Sequence, residues 1–280
     1  MQNLCYESTS KCILNCPYCI SSDNGNMCND NYEEIIDFIG RLLPERLVIS
    51  GGEPLLDNNL KKKINLIIEK YEQNNLKPYI SLATSGTLKI DNNMFDFFKD
   101  NIQCIDFSIP TLNNNVYKQM RGTDLLNIAL LNVKQAVEHG LNVRISIILT
   151  KYNYHEIPEL LLFASKIGVN SVRIGRYFPF RNAANVKDDF EIDEELIQDI
   201  IKMINNGVYK NIYSGKIIPP IKSLDMMNGY LNIDFNGNIF FPSTNGKNII
   251  CNSKECDISK LEKMFSNNQQ KIFIKSKEKI

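Results

Sequence analysis

Short runs rich in β-branched residues alternate with amphipathic helical segments along the first 180 residues of the chain. This alternation restricts the fold more than any other feature, because strands separated by helices pair in parallel and need a crossover helix between neighbours. Six segments have the composition of strands, at residues 4–8, 46–50, 79–84, 104–109, 143–149 and 171–175. Right-handed crossovers curl six such units toward a barrel. The pattern therefore predicts an α/β fold built from six βα units.

Helical periodicity is clearest in two of the connecting segments. Apolar residues recur on one face of residues 32–43 and again of residues 60–71, which is the stripe that a helix buries against a sheet. A third helix is predicted at about residues 192–206. A hairpin is predicted at residues 230–242, where an Asn-Gly pair suits a tight turn.

Three cysteines follow the first predicted strand in the spacing CxxxCxxC, at Cys12, Cys16 and Cys19. Three thiolates can hold three irons of a cubane iron–sulfur cluster and leave the fourth iron open, whereas a cluster that only carries electrons usually has four cysteine ligands. The alternative is structural zinc, which needs four ligands and usually pairs two CxxC-type segments. The other candidate zinc ligands are scattered along the chain: Cys5, Cys28, Cys104, Cys251, Cys256, His139 and His155. The spacing favours the iron–sulfur cluster.

The composition is that of an ordinary globular protein, with 280 residues, 43% hydrophobic residues, a formal net charge of zero and a pI near 6.7. No apolar run approaches the roughly 18 residues of a membrane span, and no basic block suggests a nucleic-acid surface. The N-terminal residues lack the pattern of a secretory signal, so we expect a cytoplasmic protein whose motif cysteines are not disulfide-bonded. Neither a membrane nor a nucleic acid is expected as a partner.

A glycine-rich segment follows the second predicted strand, at Gly51, Gly52, Glu53 and Pro54. Two glycines let a ligand approach the backbone closely, and the Glu53 carboxylate can accept a charge-assisted hydrogen bond. The alternative is a simple glycine turn, for which paired glycines are common. Loops at the carboxyl ends of parallel strands carry function in βα barrels. This segment and the three cysteines are therefore the leading candidates for functional loops.

In these two motifs the chain resembles the radical S-adenosylmethionine (SAM) superfamily, whose cysteine motif has an aromatic residue before the third cysteine, here Tyr18. The resemblance implies a partial (βα)6 TIM-like barrel with a small C-terminal α+β extension. It implies that Cys12, Cys16 and Cys19 hold a 4Fe–4S cluster, whose open iron chelates the amino and carboxylate groups of SAM. It also implies that residues 51–54 hold the SAM ammonium group.

Three further segments resemble this family in order and position. Thr84 and Ser85 stand at the end of the third strand, where the family has a Thr-Asn-Gly or Thr-Ser-Gly segment near SAM. Ser108 ends the fourth strand and Arg121 follows it, which resembles a segment whose serine and arginine contact the SAM carboxylate or ribose. Asn153 resembles an asparagine that precedes a Glu-Ile pair, and it is assigned with the others to SAM binding. For these residues capping or turn chemistry is the alternative.

Residues 207–280 form a predicted C-terminal extension to a core of residues 1–206. The hairpin resembles the start of a SPASM or twitch extension, in which a cysteine follows the proline and helps to bind an auxiliary cluster. In this chain that position is Ser243, and only Cys251 and Cys256 remain. Two thiolates are too few for a cubane, so we expect no auxiliary cluster. Zinc, a partial cluster and a redox pair stay open as alternatives for the two cysteines.

The resemblance implies reductive cleavage of SAM, with an electron from an external donor of flavodoxin or ferredoxin type. The resulting 5′-deoxyadenosyl radical abstracts hydrogen from a substrate. The leading hypothesis for the substrate is a peptide, because the motifs together resemble enzymes of ribosomal peptide maturation. The loop at residues 176–183, with two arginines and several aromatic residues, suits an anionic or peptidic substrate. The alternatives are radical rearrangement of a nucleotide or small metabolite and, in another class, a non-catalytic iron–sulfur or zinc protein.

Overall fold

The structure is a computed structural model, and it describes residues 3–20, 32–179, 181–220, 231–243 and 246–264. Within these ranges the chain forms ten strands and eight α-helices, joined by turns and short 3₁₀ segments. The strands are β1 (Asn3–Thr9), β2 (Arg46–Gly51), β3 (Tyr79–Thr84), β4 (Cys104–Ser108), β5 (Val143–Leu149), β6 (Ser171–Arg176), β7 (Lys216–Ile218), β8 (Leu231–Ile233), β9 (Asn238–Ser243) and β10 (Gly246–Asn252). The helices are α1 (Tyr32–Leu42), α2 (Leu60–Glu72), α3 (Asn92–Asn101), α4 (Asn114–Arg121), α5 (Leu126–Glu138), α6 (Ile157–Ile167), α7 (Lys187–Phe190) and α8 (Glu194–Asn205).

The elements predicted from sequence periodicity are confirmed. Each of the six predicted strands is present as β1 to β6, with bounds that differ by no more than one residue at either end. The three predicted helices are α1, α2 and α8, and the predicted hairpin is the antiparallel pair of β8 and β9. Cys28 lies outside the described residues. Within the described part of the chain, no helix combines the length and the apolar character that crossing a membrane requires.

The chain divides into two compact units. The first contains residues 1–11, 23–81 and 223–280, and the second contains residues 12–22 and 82–222. Strand β3 begins in the first unit and ends in the second. The division predicted between core and extension at residue 206 stays a prediction.

In the first unit the strand order is β10-β9-β8-β1-β2. Strand β1 pairs in parallel with β2, with Leu4 opposite Leu47, and the short β8 pairs in parallel with the other edge of β1. Strand β9 pairs antiparallel with both β8 and β10. The apolar stripes of α1 and α2 are buried, which explains their helical periodicity. The C-terminal strands β8, β9 and β10 therefore extend the sheet from the edge of β1 that does not face β2.

In the second unit β4, β5, β6 and β7 lie in this order and pair in parallel. Because side chains alternate across a strand, Ile105 and Phe107 of β4 project to one face of the sheet, and Asp106 and Ser108 project to the other. The two apolar side chains are fully buried. The opposite face is polar, and β4 delivers Ser108 to its carboxyl end.

Candidate active site

The three motif cysteines lie in the second unit, in an irregular loop that follows β1 in the chain. Their side chains are partly exposed thiols outside any disulfide. The backbone N–H of Leu14 donates to the Cys12 sulfur at 3.4 Å, and the N–H of Cys19 donates to the Cys16 carbonyl at 3.1 Å. Pro17 favours this turn because its fixed φ suits the second position of a tight turn. The turn brings the third cysteine back toward the second.

A buried arginine connects the second cysteine to the end of β4. Nη1 of Arg121 donates to the Cys16 sulfur at 3.5 Å, and Nη2 donates to the carbonyl and hydroxyl oxygens of Ser108 at 2.7 and 2.5 Å. The Arg121 carbonyl accepts a hydrogen bond from the N–H of Asn15 at 3.3 Å. Burial lowers the pKa of the Arg121 guanidinium, but Tyr18 and Cys16 raise this pKa by more, so the group stays a cation. The structure thus brings together predicted site residues from three separate segments.

Tyr18, the aromatic residue of the cysteine motif, is buried in an apolar cluster. Its ring centroid lies 5.5 Å from that of Phe190, and the Arg121 guanidinium lies 5.7 Å from the same ring. Met120 and Tyr177 belong to the cluster as well. Burial raises the pKa of Tyr18 well above its usual range, so the hydroxyl stays protonated. The aromatic position therefore fixes the cysteine loop on a hydrophobic core.

The cysteine loop fits an iron–sulfur cluster and SAM in its donor set and in its unsatisfied polar groups. Thiolates are the ligands that such clusters use. The Tyr18 hydroxyl, the Arg121 Nε–H and the Thr123 hydroxyl are buried and have no hydrogen-bond partner among the described residues. Buried polar groups are normally paired, so these atoms mark a place for polar ligand atoms. Within the described ranges, no three Cys, His, Asp or Glu side chains converge on one metal position, and the assignment of the three cysteines as cluster ligands stays a prediction.

The glycine segment at residues 51–54 lies in the first unit and is shaped by the chain that leaves β1. The Gly52 N–H donates to the Thr9 carbonyl at 2.8 Å. A Cβ atom at Gly51 would stand 2.3 Å from the Thr9 oxygen, and one at Gly52 would stand 2.2 Å from the Lys11 oxygen. Such distances are far below van der Waals contact, and both obstacles are backbone atoms. Both glycines are therefore required by the fold, whatever ligand approaches them.

Glu53 is buried, with 1% of its surface exposed. Its backbone N–H donates to the Lys11 carbonyl at 2.7 Å, and its carboxylate accepts a hydrogen bond from the Leu55 N–H at 3.2 Å. It is the N-cap of the 3₁₀ turn Pro54–Leu56, and a proline at the first position suits such a start. The contact of residues 51–54 with SAM stays a prediction beside this structural role.

A buried ion pair that the sequence did not reveal supports the glycine segment. Nζ of Lys63, in α2, lies 2.6 Å from Asp57 Oδ2 and donates to the Ser8 carbonyl at 2.9 Å. The rings of Tyr32 and Tyr6 lie 4.9 and 5.8 Å from the same ammonium. The side chains of Lys63 and Asp57 are 1% and 0% exposed. The pair holds together the end of β1, the turn after the glycines and α2. The sequence pattern that could have indicated it is the position of Lys63 on the apolar face of the helix.

Thr84 and Ser85 lie in a closely bonded turn at the end of β3. Thr84 Oγ1 accepts a hydrogen bond from the Gly86 N–H at 3.0 Å, and the hydroxyls of Ser85 and Thr87 are 2.7 Å apart. Asn132 of α5 donates to the Gly86 carbonyl at 2.8 Å. All five residues are buried. The predicted contacts of Thr84 and Ser85 with SAM stay predictions.

The side-chain amide of Asn153 is fully used within its own unit. Its oxygen accepts hydrogen bonds from the N–H and the hydroxyl of Thr150 at 2.8 and 3.1 Å. Its nitrogen donates to the carbonyls of Pro110 and Ile148 at 2.7 and 2.9 Å. An amide has two donor hydrogens and two acceptor lone pairs, so this set satisfies it completely. Asn153 therefore fixes the loops after β4 and β5, and its assignment to SAM binding stays a prediction.

Cys251 and Cys256 form a disulfide, with their Cα atoms 5.5 Å apart. A disulfide is the oxidised state that a redox pair would form, and the three alternatives for these cysteines stay predictions. The loop that the disulfide closes contacts α1 of the same unit. Lys254 Nζ lies 2.8 Å from Glu34, and Arg41 donates to a loop carbonyl at 3.4 Å. The disulfide loop therefore joins the C-terminal strands to α1 within the first unit.

The loop at residues 176–183 follows β6 in the second unit. Arg176 forms an ion pair with Glu194 at the start of α8, and its guanidinium lies 5.8 Å from the Phe178 ring centroid. The Arg176 charge is thus compensated within its unit. The side chain of Arg181 lies outside the described part of the chain. The predicted role of this loop in gripping a substrate stays a prediction.

The fold has parallel strands joined by helices, and a three-cysteine loop follows the first strand. This combination is typical of a class of α/β iron–sulfur enzymes. Residues 6–164 match the family model of the radical SAM superfamily. The match covers more than half of the chain, and the protein belongs to this superfamily. It is a radical SAM enzyme, and the cofactors of the superfamily are a 4Fe–4S cluster and SAM.

Similar sequences include proteins whose names describe different activities. GTP 3′,8-cyclase of Clostridium perfringens is 25% identical over 231 residues, which are 75% of this chain and 69% of the cyclase. The tungsten-containing aldehyde ferredoxin oxidoreductase cofactor-modifying protein of Pyrococcus furiosus is 22% identical over 228 residues, which are 75% of this chain and 62% of that protein. The specific reaction is therefore not fixed by sequence likeness.

Similar solved structures include SuiB of Streptococcus suis bound to S-adenosylmethionine, with a TM-score of 0.73 and 14% identity over 92% of this chain. The match covers 64% of SuiB, so the chain spans less than two thirds of that protein. Native anSMEcpe with bound AdoMet has a TM-score of 0.70 and 15% identity, over 91% of this chain and 79% of its own. At such identities the likeness shows the fold alone, and it confirms the predicted partial (βα)6 barrel.

Proposed function

We propose that this protein cleaves SAM reductively at a 4Fe–4S cluster held by Cys12, Cys16 and Cys19, and that a peptide is its substrate. When bound, the cluster and SAM supply one-electron cleavage to a 5′-deoxyadenosyl radical, which abstracts hydrogen from the substrate. The electron comes from an external donor of flavodoxin or ferredoxin type. The observation that carries the proposal is the chain of contacts from Cys16 through Arg121 to Ser108, which joins a cluster ligand to two residues assigned to SAM.

The residues around the cysteine loop have a positioning task. Arg121 is held by Cys16 and Ser108, so its cation is in place before any ligand arrives. Its Nε–H and the Tyr18 hydroxyl are among the buried donors that have no hydrogen-bond partner in the described residues, and they suit an anionic group such as the SAM carboxylate. The apolar cluster around Tyr18 excludes water from one side of the loop. Fixed groups of this kind favour reaction because they orient the reactants beforehand.

A peptide is supported as the substrate by two structural likenesses that extend beyond the residues defining the family. SuiB bound to the precursor peptide SuiA matches 86% of this chain with a TM-score of 0.70. Native anSMEcpe with bound AdoMet and the Cp18Cys peptide matches 93% of this chain with the same score. The 25% identity to GTP 3′,8-cyclase supports a nucleotide as the second candidate.

The class of reaction is tested by anaerobic reconstitution of the full chain with iron and sulfide. Dithionite-dependent release of 5′-deoxyadenosine from SAM is then measured by chromatography. We expect release by the wild-type protein and none above background by Cys16→Ala. Bound zinc with no release by the wild type would contradict the proposal and leave a binding protein.

The substrate class is tested with a deuterium-labelled library of short synthetic peptides and, separately, with GTP. We expect deuterium to pass from the peptides into 5′-deoxyadenosine, detected by mass spectrometry and lost in Cys16→Ala. Conversion of GTP to a cyclised product, without deuterium transfer from the peptides, would favour the nucleotide reaction instead.

A further inference from the structure

Two arginines and one aspartate form a cluster in the second unit. The proposed cleavage of SAM does not require this cluster. Asp106 Oδ2 lies 3.0 Å from Arg173 Nη2 and 3.6 Å from Arg144 Nη1. The Ser146 hydroxyl donates to Asp106 Oδ1 at 2.5 Å and accepts a hydrogen bond from Arg173 Nε at 2.9 Å. Arg144 Nε donates to the Ser171 hydroxyl at 3.3 Å. These five side chains, from β4, β5 and β6, are called the Asp106 cluster below.

The Asp106 cluster shares a sheet face with the serine that holds Arg121. Ser108 stands opposite Ser146 in the register of β4 and β5, and Ser146 stands opposite Arg173 in the register of β5 and β6. Residues in register project to the same face, and adjacent strands lie about 4.8 Å apart. The Cα atoms of Arg173 and Ser108 are therefore about 10 Å apart across the sheet. A substrate of modest size can span this distance.

The cluster is unbalanced in charge and in exposure. The exposed fraction of the side chain is 5% for Asp106, 21% for Arg144 and 48% for Arg173. One carboxylate faces two guanidiniums, so one positive charge is in excess. The guanidinium N–H groups that do not face Asp106 or a serine have no partner in the described part of the chain. The buried acid thus supports a cationic surface.

We propose that the Asp106 cluster binds a single carboxylate of the substrate, from an acidic side chain or the C-terminus of a peptide. Arg173 donates its outer N–H groups to this carboxylate, and Arg144 provides the second positive charge. Ser146 is the positioning residue, because its hydroxyl accepts a hydrogen bond from Arg173 Nε and orients the guanidinium, whereas Asp106 competes with the substrate carboxylate for both arginines. The inference rests on the peptide substrate proposed above and adds the chemical group that the enzyme recognises.

The charge of the cluster favours a carboxylate over a nucleotide triphosphate. Two guanidiniums and Asp106 sum to one positive charge, which one carboxylate neutralises. A triphosphate would bring several negative charges close to the Asp106 carboxylate, and like charges at short range are unfavourable. A site for polyphosphate is therefore not expected to contain this acid.

A purely structural network makes a different prediction for Asp106. If the ion pairs only stabilise the sheet, replacing Asp106 by asparagine weakens the fold and does nothing else. If the cluster binds an anion, the same change removes the internal competitor for both arginines. The affinity for a carboxylate then rises, and a structural role alone would not produce this gain.

The test is anion binding to the reconstituted full chain, measured anaerobically by isothermal titration calorimetry. The probes are N-acetylglutamate N-methylamide, its neutral glutamine counterpart and tripolyphosphate. The wild type is compared with Arg173→Gln, Arg173→Lys and Asp106→Asn after thermal melting has shown that each variant folds. Arg46→Gln is the matched control, because Arg46 is an exposed arginine of the first unit that lies over the Tyr79 ring.

We expect the glutamate probe to bind the wild type, and to bind Arg173→Gln about tenfold more weakly because a charge-assisted hydrogen bond is lost. Arg173→Lys should fall between them, Asp106→Asn should bind more tightly than the wild type, and Arg46→Gln should equal it. Equal binding of the glutamate and glutamine probes would overturn the proposal, as would equal affinities of the wild type and Arg173→Gln. Tighter, Arg173-dependent binding of tripolyphosphate would also overturn it.

The result separates this site from the proposed function because no SAM cleavage is measured. Arg173-dependent binding of the glutamate probe, together with no deuterium transfer from peptides, would contradict the peptide reaction and keep the carboxylate site. Deuterium transfer without Arg173-dependent binding would support the peptide reaction and overturn the carboxylate site.

Discussion

The two motifs that carry the family resemblance differ in how much of their chemistry the fold already uses. In the glycine segment, the N–H groups of Gly52 and Glu53 are bonded to main-chain carbonyls and the Glu53 carboxylate caps a turn. In the cysteine loop, three thiols are partly exposed, and the Arg121 Nε–H and two hydroxyls lack partners among the described residues. The glycine segment is therefore a fixed support, whereas the cysteine loop keeps partly exposed thiols and buried polar groups to which a ligand role is predicted.

The largest effect should come from removing a predicted cluster ligand from the cysteine loop. Cys12→Ala and Cys19→Ala should each lose bound iron and reduce 5′-deoxyadenosine release to background, because a cluster held by two thiolates is incomplete. Iron per chain and nucleoside release are the measurements. Cys104→Ala is the matched control, since Cys104 is a buried cysteine of β4 outside the loop, and it should keep both. Loss of iron in this control would contradict the assignment of the ligands.

At the glycine segment, the largest loss of stability should come from breaking the buried ion pair beside it. Lys63→Met leaves the Asp57 carboxylate buried without its partner, and breaking such a pair costs about 3–5 kcal/mol of the free energy of unfolding. Denaturant unfolding of the metal-free chain measures the loss. The neighbouring Lys62 forms an exposed pair with Glu33 at 3.2 Å, so Lys62→Met should leave stability unchanged. Equal effects of the two substitutions would show that the buried pair is not a support.

A smaller loss of stability is expected when a methyl group is added at a glycine of this segment. Gly52→Ala places a Cβ atom against the backbone at Lys11 and should cost about 3 kcal/mol, because neither side of the clash can move freely. Gly40→Ala in α1 is the comparison, since the three atoms nearest to its Cβ are side-chain atoms of Lys70, the first being the Lys70 Cβ at 2.8 Å. That change should cost less than Gly52→Ala, because alanine in place of glycine inside a helix stabilises it by about 1 kcal/mol and offsets part of the clash. Comparable melting temperatures for the two variants would argue against a steric requirement at Gly52.

The smallest effect concerns thiol reactivity. Burial raises the pKa of Cys104 to about 11, so at pH 8 only about one thiol in a thousand is the reactive thiolate. We expect iodoacetamide to leave Cys104 unmodified in the folded, metal-free chain and to modify the partly exposed Cys12, Cys16 and Cys19. Peptide mass spectrometry measures each site. Modification of Cys104 at the rate of the loop cysteines would show that the Cys104 thiol in β4 is accessible to solvent.

Local patterns made the strands and the cysteine loop predictable. The six strands and the helices α1, α2 and α8 follow from periods of two and of about three and a half residues, which depend only on neighbouring residues. The spacing of Cys12, Cys16 and Cys19 predicts a ligand set from neighbouring residues alone. The contact between Arg121 and Cys16 was not predicted. The sequence assigned Arg121 to SAM through a resemblance, and the two residues are far apart in the chain.

The sequence by itself determined the positions of the strands along the chain and the superfamily, and it predicted a ligand set, because periodicity, turn chemistry and motif spacing are short-range properties of the chain. The tertiary structure decided that β8 pairs in parallel with β1, that Lys63 is buried with Asp57, and that Asp106 stands between Arg144 and Arg173. Each of these contacts joins residues on different elements. Whether a charge is buried, paired or free to bind a ligand depends on which elements the packing brings together, and no local pattern contains that information.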